Sequence, residues 1–325
     1  MNIGIVGAGS WGTALALAML RAGHRPVLWG RDPEAMARLS RERTYVSRLQ
    51  GIVLPEEIEV TSELRSLGAM PLLLSAVPVQ AMRGVLEPLR SVDATLLVCA
   101  KGIERQSCAR VTEIVRVCCP HADAGVLSGP SFAREVALGR PTALVCGLNA
   151  LDRARDLASA LSSPTFRLYP SDDVTGIEIG GAFKNVVAIA AGAVSGLGLG
   201  ENARAAVVTR GLAEIGRMAA ALGGRPETIG GLAGLGDLVL SATSATSRNM
   251  AFGRELAGGA AADSFRAAGH RLAEGAWTAQ AALDLAARHE VELPITQAVA
   301  DVIEGRTSLT QAIERLLARP LRSGE

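Results

Sequence analysis

Short apolar runs alternate with helix-forming stretches through the first half of this 325-residue chain, and this order constrains its fold most. Parallel strands need a crossover between them, and a helix usually provides it. The pattern therefore predicts a doubly wound α/β domain with a mostly parallel sheet. The predicted strands are residues 2–6, 26–29, 72–77, 95–100, 125–128, 142–146 and 166–169.

The second half of the chain has a different pattern. After Pro170, alanine and leucine recur at helical spacing, and no strand-like run of similar quality returns. A long apolar helix is predicted from about residue 173. Since the chain is long enough for two cores, we expect residues 1–170 to form a dinucleotide-binding domain and residues 171–325 an all-helical substrate and catalytic domain.

A glycine motif follows the first predicted strand and opens the first helix. It has Gly7, Gly9 and Gly12 in the spacing GxGxxG, with Ser10 and Trp11 between the last two. Glycines there permit a tight turn and let a pyrophosphate approach the helix N-terminus. The position at the start of a βαβ unit predicts a Rossmann-like nucleotide site, although a glycine-rich turn without a ligand is the alternative.

The end of the second predicted strand bears on which cofactor is bound. An acidic residue at this position would bind the ribose 2′-hydroxyl of NADH, whereas a nearby arginine suits the 2′-phosphate of NADPH. The sequence here is Trp29-Gly-Arg31-Asp32. We expect Asp32 to cap the next helix, with a place near the ribose as the alternative. Arg31 therefore favours NADPH (NADP) over NADH (NAD), and use of NADH stays open.

Only two of the thirty-three basic residues are lysines, Lys101 and Lys184. An arginine stays charged, whereas a lysine amine can release and recapture a proton. Lys184 lies in an apolar, glycine-containing stretch where a buried ammonium needs a counter-charge or a ligand. Both lysines are therefore candidates for proton transfer or substrate binding. The alternative is that they are ordinary surface lysines, and that Lys184 lies with its stem on apolar surface and its ammonium in water.

Candidate site residues lie in four segments. Lys101 and the turn Ser128–Ser131 follow predicted strands, at the sheet edge where α/β proteins bind ligands. Asp237 follows the glycine-rich segment 231–236. The stretch 243–249 concentrates hydroxyls, an amide and a guanidinium, groups that suit a phosphoryl ligand, although a serine-rich capping loop would look the same.

Composition narrows the classes of partner. A net charge of +1 gives no electrostatic case for nucleic acid or an anionic membrane as the main partner. No signal peptide is visible, and the apolar window 186–199 is too short and glycine-rich to span a bilayer. The five cysteines lack metal-ligand spacing, so no metal is predicted and they are interpreted as reduced packing residues of a cytoplasmic protein.

Taken together, these segments resemble the soluble, bacterial-type NAD(P)-dependent glycerol-3-phosphate dehydrogenases. The resemblance runs in order through most of the chain. It implies reversible reduction of dihydroxyacetone phosphate to sn-glycerol 3-phosphate, which supplies phospholipid synthesis. The matching stretches are GIVGAGSWGTALA (4–16), CAKGIE (99–104), LSGPSFAREVA (127–137), FKNVVAIAAG (183–192), NARAAVVTRGLAEIGR (202–217), GLAGLGDLVLS (231–241), SRN (247–249) and LAEGAWTA (272–279).

The resemblance also implies roles for individual residues. Lys184 is implied as the proton donor and acceptor. The implied substrate contacts are Lys101, Gly129, Ser131, Lys184, Asp237, Ser247, Arg248 and Asn249. The implied cofactor contacts, beside the three motif glycines, are Ser10, Trp11, Arg31, Lys101, Ala133, Arg248, Leu272 and Glu274.

The sequence departs from the family at two places. Ser195 stands where the family usually has aspartate, and Ser241-Ala-Thr243 replaces Thr-Cys-Thr; neither departure is expected to touch a residue with a chemical role. Two other functions stay open: a dehydrogenase for an unphosphorylated hydroxy acid, and a nicotinamide-binding sensor without turnover. The sequence does not fix the oligomeric state, and a homodimer is compatible with it.

Overall fold

The described part of the protein contains one eight-stranded sheet. The structure, a computed structural model, describes residues 1–44, 49–259 and 273–318. The strand order is β3-β2-β1-β4-β5-β6-β7-β8. Neighbours are parallel from β3 to β6 and again between β7 and β8, while β6 and β7 are antiparallel. The strands are β1 (Asn2–Val6), β2 (Arg25–Trp29), β3 (Glu59–Thr61), β4 (Leu72–Ser75), β5 (Thr95–Val98), β6 (Asp123–Ser128), β7 (Thr142–Gly147) and β8 (Phe166–Ser171).

The mostly parallel sheet predicted from the sequence is confirmed. All seven predicted strands are present, with bounds that differ by no more than two residues. Only β3 was not predicted. It is three residues long at the sheet edge, and none of its residues is buried, so it has no apolar run to signal a strand.

Six helices accompany this sheet among the residues described. The first of them buries Leu15, Ala18 and Met19, as its spacing predicts, and ends before Gly23, whose φ is +82°. The carboxylate of Asp32 accepts from the N–H groups of Glu34 and Ala35, so it caps the second helix. The helices are α1 (Ser10–Arg21), α2 (Pro33–Glu42), α3 (Val79–Leu86), α4 (Val111–Cys118), α5 (Ala133–Ala137) and α6 (Leu151–Leu161).

The described chain beyond β8 is helical, as predicted, and contains one π-helical turn, Leu232–Gly236. Its longest helix runs from Val174 to Gly196 and is almost wholly buried. The helices are α7 (Val174–Gly196), α8 (Gly200–Ala221), α9 (Pro226–Gly230), α10 (Asp237–Thr243), α11 (Arg248–Ala257), α12 (Glu274–Arg288), α13 (Pro294–Ile303) and α14 (Leu309–Leu317).

The apolar window 186–199, which was predicted to be too short for a membrane span, lies mostly within the longer helix α7. By length and composition this one helix of the described chain could cross a bilayer, because it begins twelve residues before the apolar window considered in the sequence. Phe183, Val187 and Ala191 of α7 are instead buried in a core with other helices of the second half. A buried core helix satisfies the same criteria of length and composition.

The described residues pack as two compact units. The first contains Met1–Lys101 and Ala109–Glu178, and the second contains Gly102–Cys108 and the chain from Ile179 onwards. The chain therefore enters the second unit for seven residues immediately after Lys101. The predicted division into a dinucleotide-binding domain of residues 1–170 and a helical substrate and catalytic domain of residues 171–325 stays a prediction.

Within the second unit, glycines let α7 and α11 cross at very short range. A Cβ added at Gly192 would lie 2.1 Å from the carbonyl oxygen of Met250, and one at Gly253 would lie 2.0 Å from that of Ile189. No side chain fits at either position without moving a helix. This contact fixes the position of α11, whose first turn carries Arg248 and Asn249.

Candidate active site

The glycine motif forms a tight turn between β1 and α1. Gly7 has φ +116°, and a Cβ added to Gly12 would lie 1.8 Å from the carbonyl oxygen of Gly7. Gly9 caps α1 and has no side chain to accept from the N–H groups of the first turn, where Ser10 and Trp11 lie. A helix N-terminus of this kind favours a phosphate group.

This turn lies at the switch point of the sheet. The strand that follows β1 in the chain, β2, lies on one side of β1, and β4 lies on the other side. The reversal of strand order leaves a crevice at the carboxyl ends of the strands, where parallel α/β sheets bind ligands. A Cβ on Gly7 would lie 3.2 Å from the backbone of Ala76, just after β4. The backbone and the position therefore fit the pyrophosphate of a dinucleotide.

The residues after β2 fit the nucleotide end of the same crevice. Gly30 packs closely against Met36, since an added Cβ would lie 2.4 Å from Sδ of that side chain. Arg31 follows with an exposed side chain. Asp32 is exposed as well, but Oδ1 of its carboxylate is engaged in capping α2.

Lys101 contacts the loop after β6. Its Nζ donates to the carbonyl oxygen of Gly129 at 3.0 Å, and Oγ of Ser131 donates to the same oxygen at 3.1 Å. Gly129 has φ +142°, where a side chain would be strained. The structure thus brings together three of the predicted substrate residues. Ala133, a predicted cofactor contact, is the first residue of the short helix α5.

Lys184 is buried in the second unit and forms an ion pair. Its Nζ donates to Oδ1 of Asp237 at 2.5 Å and to Oγ of Ser241 at 2.7 Å. The side chains of Lys184 and Asp237 are 8% and 1% exposed, which excludes the snorkelling alternative for this lysine. A buried ammonium paired in this way has the fixed position that proton transfer to a bound oxygen requires.

Ser241 is part of this site, although it was not among the residues predicted from the sequence. The Ser-Ala-Thr departure was expected to touch no residue with a chemical role, and this was wrong, because Ser241 bonds to Lys184 directly. Ser241 lies one helical turn after Asp237 on α10, so both side chains lie on the same face of the helix. The i, i+4 spacing from Asp237 was the signal in the sequence.

The π-helical turn sets the position of Asp237. A Cβ on Gly234 would lie 2.1 Å from the carbonyl oxygen of Ile229, and one on Gly180 of α7 would lie 2.7 Å from that of Ala233. Two glycines thus let this turn pack against its own preceding helix and against α7. Asp237 follows directly and begins α10. The glycine-rich segment is therefore a packed turn in contact with α7.

Asn249 joins three segments of the second unit. Its Nδ2 donates to Oδ1 of Asn185 at 2.9 Å, and its Oδ1 accepts from the N–H of Gly275 at 3.0 Å. Asn185 is adjacent to Lys184 and was not singled out from the sequence, although it is a polar residue in an apolar helix. Asn249 therefore connects the segment of Lys184 to the start of α12.

The neighbours of Asn249 differ in exposure. Ser247 is buried and caps α11 by accepting from the N–H of Met250, as the capping-loop alternative predicted, whereas Arg248 is exposed. Glu274, a predicted cofactor contact, is the first residue of α12 and is half-buried. Leu272, the other contact predicted there, lies outside the described residues.

The described chain offers no cluster of three or more histidine, cysteine, aspartate or glutamate side chains that could hold a metal ion. All five cysteines are buried free thiols. Burial raises the pKa of Cys146 to about 12, so this thiol stays protonated at neutral pH. The cysteines fit packing residues better than nucleophiles.

A glycine turn at a sheet switch point and a buried lysine–carboxylate pair in a helical unit define a Rossmann-type oxidoreductase. Family models place the chain more narrowly. Residues 2–154 match the N-terminal model of NAD-dependent glycerol-3-phosphate dehydrogenase, and residues 173–314 match the C-terminal model. The chain belongs to this family.

Individual relatives agree with the family models. Glycerol-3-phosphate dehydrogenase [NAD(P)+] of Methylobacterium radiotolerans is 50% identical over 98% of this chain and 97% of its own length. The relative of the same description in Rhodospirillum rubrum is 48% identical over 99% of this chain and 93% of its own length. The crystal structure of glycerol-3-phosphate dehydrogenase from Coxiella burnetii is 37% identical, with a TM-score of 0.91 over 98% of this chain and 99% of that one.

Proposed function

We propose that the chain reduces dihydroxyacetone phosphate reversibly to sn-glycerol 3-phosphate with NADPH or NADH. The family assignment supports this reaction, and the buried contact of Lys184 with Asp237 is the observation that carries the chemistry. The product is a phosphorylated glycerol of the kind that phospholipid synthesis consumes. The substrate is small, and the protein acts as a soluble enzyme.

The bound cofactor would supply the hydride. Gly7, Gly9 and Gly12 would hold its pyrophosphate at the start of α1, with Ser10, Trp11, Ala133 and Glu274 as further contacts. In the same reaction, Lys184 donates a proton to the substrate oxygen as the alcohol forms and takes one back in the reverse direction. Asp237 and Ser241 hold the ammonium in place, as their hydrogen bonds to Nζ indicate.

Two groups of residues would bind the substrate. Lys101, Gly129 and Ser131 would contact it from the loop cluster beside β5 and β6. Arg248 and Asn249 would hold its phosphate at the start of α11, where the N–H groups and the dipole of the helix also favour an anion. An arginine gives a charged, forked contact for a phosphoryl group.

The capping bond of Ser247 narrows its role in this proposal. Its hydroxyl accepts from the N–H of Met250 and fixes the first turn of α11. It therefore supports the phosphate site chiefly by holding Arg248 and Asn249 at the helix start. Direct contact with the substrate would have to use the remaining bonding capacity of the hydroxyl.

Substrate comparison tests the proposal. NADPH consumption is followed with dihydroxyacetone phosphate, with unphosphorylated dihydroxyacetone and with a small keto acid. Rapid turnover of the phosphorylated ketone alone is expected. A preference for the keto acid would support the hydroxy-acid alternative, and cofactor binding without turnover of any of the three would support the sensor.

Arg248→Ala tests the phosphate site. We expect it to reduce kcat/KM severely for dihydroxyacetone phosphate and much less for dihydroxyacetone, because phosphate binding helps to position the reacting carbon. Both substrates are measured at saturating NADPH in both proteins. An equal loss on both substrates would assign Arg248 to the cofactor or to the fold.

A further inference from the structure

The segment Gly102–Cys108 departs from the first unit immediately after Lys101 and packs with the second. Ile103 and Cys108 of this segment, which we call the crossover, are 0% and 4% exposed in the core of the second unit. Cys108 keeps a positive φ of +61°, a conformation that costs a non-glycine residue energy and persists where the surroundings enforce it. The backbone after Lys101 is therefore held at defined points.

Helix α12 holds the exposed part of the crossover. The guanidinium of Arg105 lies over the ring of Trp277, 4.6 Å from its centroid. Arg288, at the other end of α12, donates to the carbonyl oxygen of Ser107 at 3.1 Å. Both contacts lie within the second unit, and together they fix the middle of the crossover to one helix.

The same helix is tied to the residues around Lys184. The N–H of Gly275 donates to Asn249, and a Cβ on Gly275 would lie 2.5 Å from the carbonyl oxygen of Asn185. Hence α12 has a fixed place relative to the catalytic lysine, and its Trp277 holds the chain four residues beyond Lys101. Neither Arg105 nor Trp277 has a role in the chemistry proposed above.

We infer that Arg105 and Trp277 are positioning residues for Lys101: their stacking fixes the crossover, and so sets where the Lys101 ammonium stands at the substrate. This rests on the proposed function, in which Lys101 contacts the substrate and the cofactor. A small displacement of a group that contacts the substrate can reduce turnover by more than the free energy of the contact that held this group in place.

The experiment compares Arg105→Ala, Trp277→Ala and Trp277→Phe with Arg306→Ala. Arg306 is an apt control because it also bonds to α12, through Gln280, but not to the crossover. We expect kcat/KM for dihydroxyacetone phosphate to fall about 3- to 10-fold in the two alanine variants. Trp277→Phe, which keeps an aromatic face, should recover most of the loss, and Arg306→Ala should match the parent.

A cycle with Lys101→Ala separates positioning from general stability. In that background, Arg105→Ala should change kcat/KM less than twofold, since the group it positions is gone. Where turnover is too low to measure, the same cycle is built from the Kd for NADPH. Calorimetry gives this Kd for the parent, Arg105→Ala, Lys101→Ala and the double variant. A full additional loss in the Lys101→Ala background would overturn the inference.

The remaining outcomes are also decisive. Full activity of Arg105→Ala beside an impaired Lys101→Ala would contradict positioning and leave the proposed function intact. Full activity of Lys101→Ala would remove Lys101 from the proposed site and refute the inference with it. Equal losses in Arg105→Ala and Arg306→Ala would show a general effect of α12 stability.

Discussion

The Nζ of Lys184 and Oδ1 of Asp237 lie 2.5 Å apart in a buried part of the helical unit. A buried charge without its partner is strongly destabilising, so each residue depends on the other. The pair also holds the ammonium at one place on α7, where a substrate oxygen could exchange a proton with it. In the proposed reaction, the same contact therefore supports both stability and proton transfer.

Lys184→Ala should abolish measurable turnover while leaving NADPH binding nearly intact. Loss of a positioned acid costs about 10²- to 10⁴-fold in rate. Lys184→Arg should be almost as poor, because a guanidinium does not readily give up a proton. Steady-state kinetics, NADPH titration and circular dichroism of each variant check this. Wild-type turnover in a folded Lys184→Ala protein would refute the assignment.

Ser241→Ala should lower kcat more than it raises KM, because it removes a hydrogen-bond acceptor that orients the Lys184 ammonium. A loss of about 10- to 150-fold is expected, because one hydrogen bond to a charged group contributes about 1.5–3 kcal/mol. Ser241→Thr keeps the hydroxyl and is the matched control, with activity near that of the parent. A Thr variant as impaired as the Ala variant would point to packing around α10 instead.

Arg31→Ala should weaken NADPH binding selectively, by about 1–3 kcal/mol if the guanidinium meets the 2′-phosphate in a charge-assisted bond. The exposed side chain of Arg31 has room for such a contact, and Asp32 is engaged in capping. Dissociation constants for NADPH and NADH in both proteins check this. Equal weakening of both cofactors would assign Arg31 to their shared part.

Much of the fold followed from local patterns. Apolar runs of four to six residues predicted seven strands, and Asp32 predicted a helix start that the capping bonds confirm. The edge strand β3 was missed because its pairing with β2 comes from register in the sheet and not from its own composition. Such pairing depends on residues distant in sequence.

The site was predictable only where one residue type stood out against its surroundings. A lone lysine in an apolar helix indicated that a counter-charge was needed, but many carboxylates could have supplied it. The choice of Asp237 depends on the crossing of α7 with the π-helical turn at Gly180 and Ala233. The contact of Ser241 follows from its i, i+4 spacing to Asp237 once that crossing is fixed. The contact of Asn185 with Asn249 depends instead on the crossing of α7 with α11, which no local sequence pattern encodes.

The close crossing of α7 and α11 predicts that one added methyl group lowers the stability of the protein. Gly253→Ala should destabilise the protein by about 1–3 kcal/mol through overpacking, since its Cβ would lie 2.0 Å from the carbonyl oxygen of Ile189. It should also lower kcat/KM by moving the first turn of α11.

Gly216→Ala in α8 is the control. Nothing lies within 4 Å of a Cβ added at Gly216, so this variant should be neutral or stabilising by up to about 1 kcal/mol. Thermal unfolding and kinetics of both variants check this, and equal stability of the two would contradict the close crossing.

The last prediction concerns Glu214 of α8, a buried carboxylate that caps α13. It accepts from the N–H groups of Ile295 and Thr296 and from the hydroxyl of Thr296. Burial raises the pKa of Glu214, against the lowering effect of these bonds. Folding therefore favours the protonated form of this side chain.

The raised pKa of Glu214 sets how the stability of the protein changes with pH. With a folded pKa above the unfolded value of about 4.3, the titration of Glu214 adds stability that is complete below that unfolded value. This stability is lost as the pH rises through the folded pKa. Glu214→Gln cannot titrate and loses one acceptor, so its Tm should be lower than that of the parent at acidic pH. The gap should narrow as the pH rises above about 4.3, when thermal unfolding of both proteins is followed from acidic to neutral pH. A gap that widens with pH would mean that the hydrogen bonds to the carboxylate outweigh its burial.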